Sequence, residues 1–232
     1  ARSMHGTPLK RRARSMRQQR PRGTITRESI VAAALAVADG SGVHRLTIRA
    51  IAQRVGAPPM SLYTHFKNKD ELLDLMYAEV ARRMYAYQGQ ATWQAELLAL
   101  GHRIRSLLTE HPKWAPLLSR PVAPLNVTLR EEVLKLMVKD GIIPTEALLG
   151  LSAVALTSIG LVLVSLTLNG QDGESFVEQR FARLKDWVKT PAGQGSVQTN
   201  AALQKLGRFE LDGVFQFHIH ALIAGLEAKR AP

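Results

Sequence analysis

Apolar positions recur along this chain with the period of a helix, and no stretch alternates as a strand would. Between Leu46 and Leu73 the pattern is most informative. Ile48, Ile51, Ala52 and Val55 fall at i, i+3, i+4 and i+7, one face of a helix that Thr47 is placed to N-cap. Gly56 can take the positive φ that ends that helix in a tight turn. Pro58 and Pro59 suit the first turn of a second, short helix, where a missing N–H is no loss. Leu62 and Phe66, four apart, must face the first helix, which leaves Met60, Ser61, Tyr63, Thr64 and His65 pointing away. Asn68 followed by Glu71 opens a third helix with a capping-box pattern. Lys69 sits in its first turn, awkward at the positive end of a helix unless an external anion compensates it; a DNA phosphate would. Arg49 lies on the face of the first helix opposite its apolar row.

Beyond this unit the pattern remains helical. A helix from Thr26 to Asp39 precedes it. The third helix runs on to about Tyr87 through Leu72, Leu75, Met76, Val80 and Met84, and Gly89 to Thr92 breaks it. Trp93 to Glu110 carries Leu97, Leu100, Ile104 and Leu107 on one stripe and stops at His111-Pro112. A short piece follows at Trp114 to Ser119. Leu125 to Lys139 turns Val133, Leu136 and Met137 inward. Phe176 to Trp187 is a further helix, whereas Thr190 to Asn200 is too rich in Gly and polar residues for one. The last helix, Phe209 to Lys229, puts Leu211, Val214, Phe215, His218, Leu222 and Leu226 on a single face. The fold class is all-α.

From Ala147 to Gln171 no residue is charged, a length that meets the criterion for a membrane span. Five hydroxyl residues within it, and flanks without a Lys or Arg cluster, favour instead a helix buried in a soluble body or at a subunit interface. An anchored regulator spanning residues 147–171 stays as the alternative, and no membrane partner is expected.

The stretch LTIRAIAQRVGAPPMSLYTHFKNKDELLD, with its Leu62-Tyr63-x-His65-Phe66 and Lys67-Asn68-Lys69 elements, resembles the helix-turn-helix domain of the TetR family of bacterial transcriptional regulators over residues 24–75. The resemblance implies that Arg49, Ser61, Tyr63, His65 and Lys69 occupy DNA-contacting positions, with Met60 and Thr64 also on the recognition helix. Residues 93–228 are similar in pattern to the tetracycline-repressor C-terminal domain, with Arg120-Pro121, Asp140-Gly141, Ala147-Leu148 and Ser152-Ala153-Val154 as landmarks. That implies a ligand pocket within each body, and a homodimer joined through the uncharged helix and the last helix. One departure matters. Pro116 stands where the tetracycline repressor has a His that helps bind the metal of its ligand, so a magnesium–tetracycline ligand is not carried over.

Charge supports the division independently. Residues 1–70 hold 14 Lys and Arg against 3 Asp and Glu, whereas residues 71–232 hold 17 against 16, so nearly all of the net +12 lies at the helix-turn-helix end. Such asymmetry is the electrostatic footprint of a polyanion partner. Residues 1–23 form a basic arm with eight positive charges and no acid, a composition that leaves a segment disordered on its own. Arg-Ser-Met recurs at 2–4 and 14–16, so the beginning of the arm reads either as native or as vector-derived sequence. The domain reading is therefore arm 1–23, DNA-binding unit 24–75 and body 76–232.

Candidate chemistry elsewhere is thin. There is no cysteine, hence no disulfide or thiolate site, and no secretory leader pattern, which makes the cytoplasm the default location. No zinc-protease, phosphate-loop, nucleophile-elbow or dinucleotide motif occurs. His218 and His220 point in nearly opposite directions on a helix and cannot chelate one ion. No metal, cofactor or catalytic set is called for, and a helical small-molecule enzyme is the weakest reading. His102, Trp114, Met137, Ser152, Thr157 and Trp187 are candidates to line a ligand pocket. Leu161, Val164, Phe215, His218 and Leu222 are candidates for a dimer interface. The expected function is a repressor that a small apolar or amphipathic molecule releases from a palindromic duplex operator.

The arm yields one expected outcome. Deleting residues 1–22 lowers DNA affinity broadly and flattens the slope of log K against log salt by about 0.9 for each phosphate that the arm neutralises. An unchanged slope in a salt titration would mark the arm as a passive tail.

Overall fold

In the computed structural model, residues 25–120, 127–168, 176–193, 195–206 and 211–230 are described; the basic arm and the 171–175 connection lie outside them. Ten α-helices and two 3-10 segments account for the regular structure, with no strand among the described residues. The DNA-binding unit is α1 (Arg27–Ser41), α2 (Ile48–Val55) and α3 (Pro59–Leu62), followed by α4 (Lys69–Met84), which leads into the body.

The local chemistry explains these boundaries. Thr26 caps α1 reciprocally: its hydroxyl accepts from the Ser29 N–H at 3.1 Å, and the Ser29 hydroxyl accepts from the Thr26 N–H at 3.0 Å. Thr47 caps α2 by accepting from the Ala50 N–H at 3.2 Å. Gly56 ends α2 at φ 79° and ψ 32°, a left-handed conformation that costs glycine nothing. Ile51, Ala52, Leu62 and Phe66 then close on Ile30, Ala34 and Leu35 of α1, all of them buried.

The body consists of α5 (Trp93–Glu110), α6 (Val127–Lys139), α7 (Pro144–Leu168), α8 (Phe176–Trp187), α9 (Val197–Leu206) and α10 (Leu211–Glu227). Helix α7 is its axis and packs against α5, α6 and α10. It buries Ala147, Leu151, Val154, Ser158 and Val162 on one face. Closeness to α10 depends on two absent side chains. A Cβ at Gly101 of α5 would collide with Ile219, and one at Gly150 of α7 with Leu226.

These crossings settle the face of α10. Phe215, Ile219, Ile223 and Leu226 turn inward, while His218 is exposed and Leu222 half-buried. The inward stripe is thus centred one residue from the sequence expectation, because Ile219 and Leu226 fill the room left by the two glycines. In α5 the buried row ends at Leu108, with Leu107 half-buried beside it. Helix α9 begins at Val197, inside the stretch expected to be non-helical. The glycine-rich turns stop at Ser196, and good helix formers at Ala201, Ala202 and Leu203 carry the chain onward.

One buried charge holds the α4–α5 connection. The Glu96 carboxylate is fully buried and accepts the N–H groups of Gln88 at 2.9 Å and Gln90 at 3.0 Å, so the turn at Gly89 wraps around it. Arg103 stands 3.9 Å from the same carboxylate and donates to the Met84 carbonyl at 3.2 Å, satisfying the end of α4. Burial pushes the Arg103 guanidinium down from its usual range, and Glu96 pulls it back up.

The tight crossing gives an expected outcome. Gly101→Val lowers the free energy of unfolding in urea by about 1–3 kcal/mol, the cost of overpacking. Gly40→Ala, where the space around a Cβ is open, serves as the neutral control. A Gly101→Val midpoint equal to wild type would contradict the crossing.

Candidate nucleic-acid interface and its link to the body

Helix α3 is short, yet it presents the surface the sequence assigns to it. Met60 is 75% and Tyr63 43% exposed, whereas Leu62 and Phe66 are buried beneath them. Thr64 is exposed, and Ser61 and His65 are half-buried. The Ser61 hydroxyl donates to the Pro58 carbonyl at 2.7 Å, and that of Thr64 to the Ser61 carbonyl at 2.8 Å. With each hydroxyl proton engaged this way, the oxygens are left as acceptors for donor groups on base edges. The Tyr63 ring leans on Phe66 with centroids 5.6 Å apart. Arg49 on α2 and Lys69 on α4 are exposed as well.

The start of α4 is capped twice. The Asn68 side chain accepts the Glu71 N–H at 2.8 Å, and the Glu71 carboxylate accepts the Lys67 N–H at 2.6 Å. Arg27, at the start of α1, donates to the His65 carbonyl at 3.1 Å and stands 3.9 Å from Glu71. It fastens α1 to the end of α3, a role the sequence did not reveal because Arg27 sits outside the motif.

The 3-10 segment Pro112–Ser119 fastens the body to this unit. Trp114 is buried, and its indole N–H donates to the Leu35 carbonyl of α1 at 3.2 Å. Its ring stacks on His111 at 3.7 Å, and His111 Nδ1 lies 2.9 Å from Asp39. Lys113 donates to the Gly40 carbonyl at 2.7 Å. Arg120 donates to Asp74 at 2.7 Å and to Asp70 at 3.0 Å, both on the first turns of α4, and these two carboxylates raise its pKa. Trp114 is thus a joint residue and not a pocket wall. Pro116 lies inside the same segment.

A cavity of about 290 Å³ opens between α4, α5, α6 and α7. Its walls are Leu100, Leu129, Leu148, Leu151 and Leu156, with Tyr77 of α4, Tyr85 just past its end, Arg130 of α6 and Ser152 of α7 as the polar groups. Of the six residues the sequence proposed for a pocket, Ser152 alone lines it. His102 lies against Phe215 and Gln216 on the α5–α10 seam. Met137 is buried core and Trp187 is 45% exposed on α8. Thr157 is half-buried away from the lining. Tyr77 within α4 and Tyr85 at its C-cap, polar-tipped rings among apolar positions, are the signal in the sequence that could have found the cavity. A larger, open groove of about 710 Å³ between α1 and α4 is edged by charges already paired, Glu79 with Arg82 at 2.7 Å and Arg83 at 2.8 Å. Those arginines hold the Glu79 carboxylate below its usual range.

Residues 30–76 match the family described as bacterial regulatory proteins, tetR family, and residues 87–230 match the tetracycline-repressor-like C-terminal domain. This chain belongs to the TetR family. An HTH-type transcriptional regulator from Saccharopolyspora erythraea is 35% identical over 51% of the chain, which spans about half (51%) of that relative's length. The class D tetracycline repressor of Escherichia coli is 28% identical over 88% of the chain and 90% of its own length. Among solved structures, ActR of Streptomyces coelicolor in complex with actinorhodin superposes with a TM-score of 0.70 at 21% identity, covering 90% of this chain and 98% of that one. The TetR fold thus extends over both domains. Regulatory proteins, and not enzymes, make up this family, and α7 has its place in it as a helix of the body, so neither the enzyme nor the membrane-anchored reading is supported.

The exposed row generates an expected outcome. Lys69→Ala and Tyr63→Ala weaken binding to every operator variant alike, since phosphate contacts fix register without reading bases, whereas Ser61 and Thr64 substitutions change base preference. In gel-shift titrations, removing the Lys69 charge reduces the salt slope by about 0.9. An unaltered slope would detach Lys69 from phosphate.

Proposed function

We propose that this protein is a ligand-responsive repressor that binds a palindromic duplex operator as a homodimer in the cytoplasm and is released by a small apolar or amphipathic molecule bound in the body. The observation that carries this reading is the joint. The segment that fastens the body to α1 and α4 follows directly on α5, a helix that walls the cavity, and α4 with its C-cap contributes Tyr77 and Tyr85 to the same cavity. A molecule seated there touches α4 directly. Preference for the DNA-incompetent arrangement by about 1–3 kcal/mol gives roughly 5- to 150-fold release. The relatives point the same way: one is named a transcriptional repressor, several are tetracycline repressors, and ActR is seen with actinorhodin.

The dimer reading is supported by what α7 and α10 leave uncovered. Leu149, Leu156 and Val164 share one outer stripe of α7 and are 65%, 68% and 50% exposed, and Phe217 of α10 is 74% exposed. Apolar area of this kind on a soluble body marks a partner surface. Of the interface residues expected from the sequence, Val164 and His218 are exposed and Leu161 and Leu222 half-buried, while Phe215 lies inside the protomer against α5. Phe217 replaces it on the outer face.

Selection from a random duplex library is expected to return an inverted repeat whose half-sites lie about 34 Å apart or a multiple of that. Phe217→Glu places two charges in a self-complementary interface, so the variant is expected to be monomeric by light scattering and to lose the selected operator although its α3 is unchanged. A selected site without two-fold symmetry, or a Phe217→Glu dimer of normal mass and affinity, would overturn the proposal.

A further inference from the structure

Among the described residues, Arg130 is the one charged group lining the cavity between α4, α5, α6 and α7. It is half-buried, and it has no ion-pair partner among the described residues. The neighbouring Glu132 is already taken, its carboxylate lying 2.8 Å from Lys135. A half-buried arginine that lines a cavity walled by leucines, with no carboxylate paired to it, offers that cavity a cation for an anionic ligand. The other polar groups at the cavity do not supply an anion. Ser152 donates to the Leu148 carbonyl at 2.8 Å and offers only a neutral oxygen. Burial, with Tyr77 beside it, raises the pKa of the Tyr85 phenol, so Tyr85 stays neutral.

From this geometry we infer that the effector is an organic anion: an aromatic or otherwise apolar body of a size for about 290 Å³, carrying one carboxylate, sulfonate or comparable acid that Arg130 grips. The inference rests on the reading of this cavity as the effector site. Guanidinium is the group that pairs with planar oxyanions through two parallel hydrogen bonds. The leucine walls take the apolar body, with Tyr77 and Tyr85 beside them in the lining. Ligand charge is thereby held on α6 while the ring presses on α4, so the anion anchors the molecule and the ring acts on the helix that leads to the DNA-binding unit.

The test uses two probes with the same ring system, anilinonaphthalene sulfonate, which is anionic, and phenylnaphthylamine, which is neutral. They are titrated by fluorescence into the full chain and into three variants, each first shown by circular dichroism and light scattering to keep the fold and mass of the wild type. The expected result has three parts. The sulfonate probe binds wild type more tightly than the neutral probe. Arg130→Gln weakens the sulfonate probe about tenfold, the worth of one charge-assisted hydrogen bond, and leaves the neutral probe unchanged. Arg130→Lys keeps part of the preference, and Ser152→Trp, which fills the rim of the cavity, weakens both probes. If Ser152→Trp weakens both probes but Arg130→Gln leaves the sulfonate probe at wild-type affinity, the cavity stands and the anion is overturned. If Ser152→Trp changes neither, the cavity is not where these molecules bind and both readings fall together.

Discussion

The attachment of the 3-10 segment Pro112–Ser119 to the DNA-binding unit is the constraint on which the rest depends. A helix-turn-helix of three short helices has little surface with which to hold itself at a defined angle to a body. Here the angle is fixed from two sides. Trp114 places a large apolar ring against α1 and uses its one polar atom on the Leu35 carbonyl, so the burial leaves nothing unsatisfied. Arg120 joins the other side to the first two turns of α4 through Asp70 and Asp74. Exposed ion pairs contribute little individually, but an arginine shared between two carboxylates on one helix defines a position, and position is what a sequence-reading surface requires.

The DNA-binding unit was legible in the sequence because its signals are local. Thr47, Gly56, Pro59 and Asn68 each dictate a backbone event within a few residues, and the structure places each event where the residue demands it. The body was less legible, for the opposite reason. Which face of α10 turns inward depends on Gly101 and Gly150, both far away in the chain, and periodicity alone allows either Phe215–His218–Leu222 or Phe215–Ile219–Ile223 as the row. The pocket followed the same rule. Aromatic and polar residues such as Trp114, Trp187 and His102 were attractive as candidates, but the cavity is set by how α4, α5, α6 and α7 diverge, and leucines line most of it.

The uncharged helix shows how one sequence property can serve two surfaces. Helix α7 has apolar residues all round, yet its faces are not equivalent: Leu151, Val154 and Val162 are core, while Leu149, Leu156 and Val164 remain outside. A hydropathy scan cannot separate these roles, since both faces score alike. The separation comes from α5, α6 and α10, which occupy one side and leave the other.

Helix α4 is held near both ends, by Arg120 at its first turns and by Arg103 on the Met84 carbonyl at its last. Its 16 residues make it a rigid lever about 24 Å long. Under the proposed function, the Glu96-centred turn just past the end of α4, whose carboxylate holds two backbone N–H groups, is the pivot for a tilt of that lever. A tilt of about 5° there sweeps the Lys69 end through about 2 Å, given that length. In the two-fold pair proposed above the two sweeps would add, so that a small displacement at Tyr85, close to the pivot, would be amplified at the far end of α4, beside the row at α3.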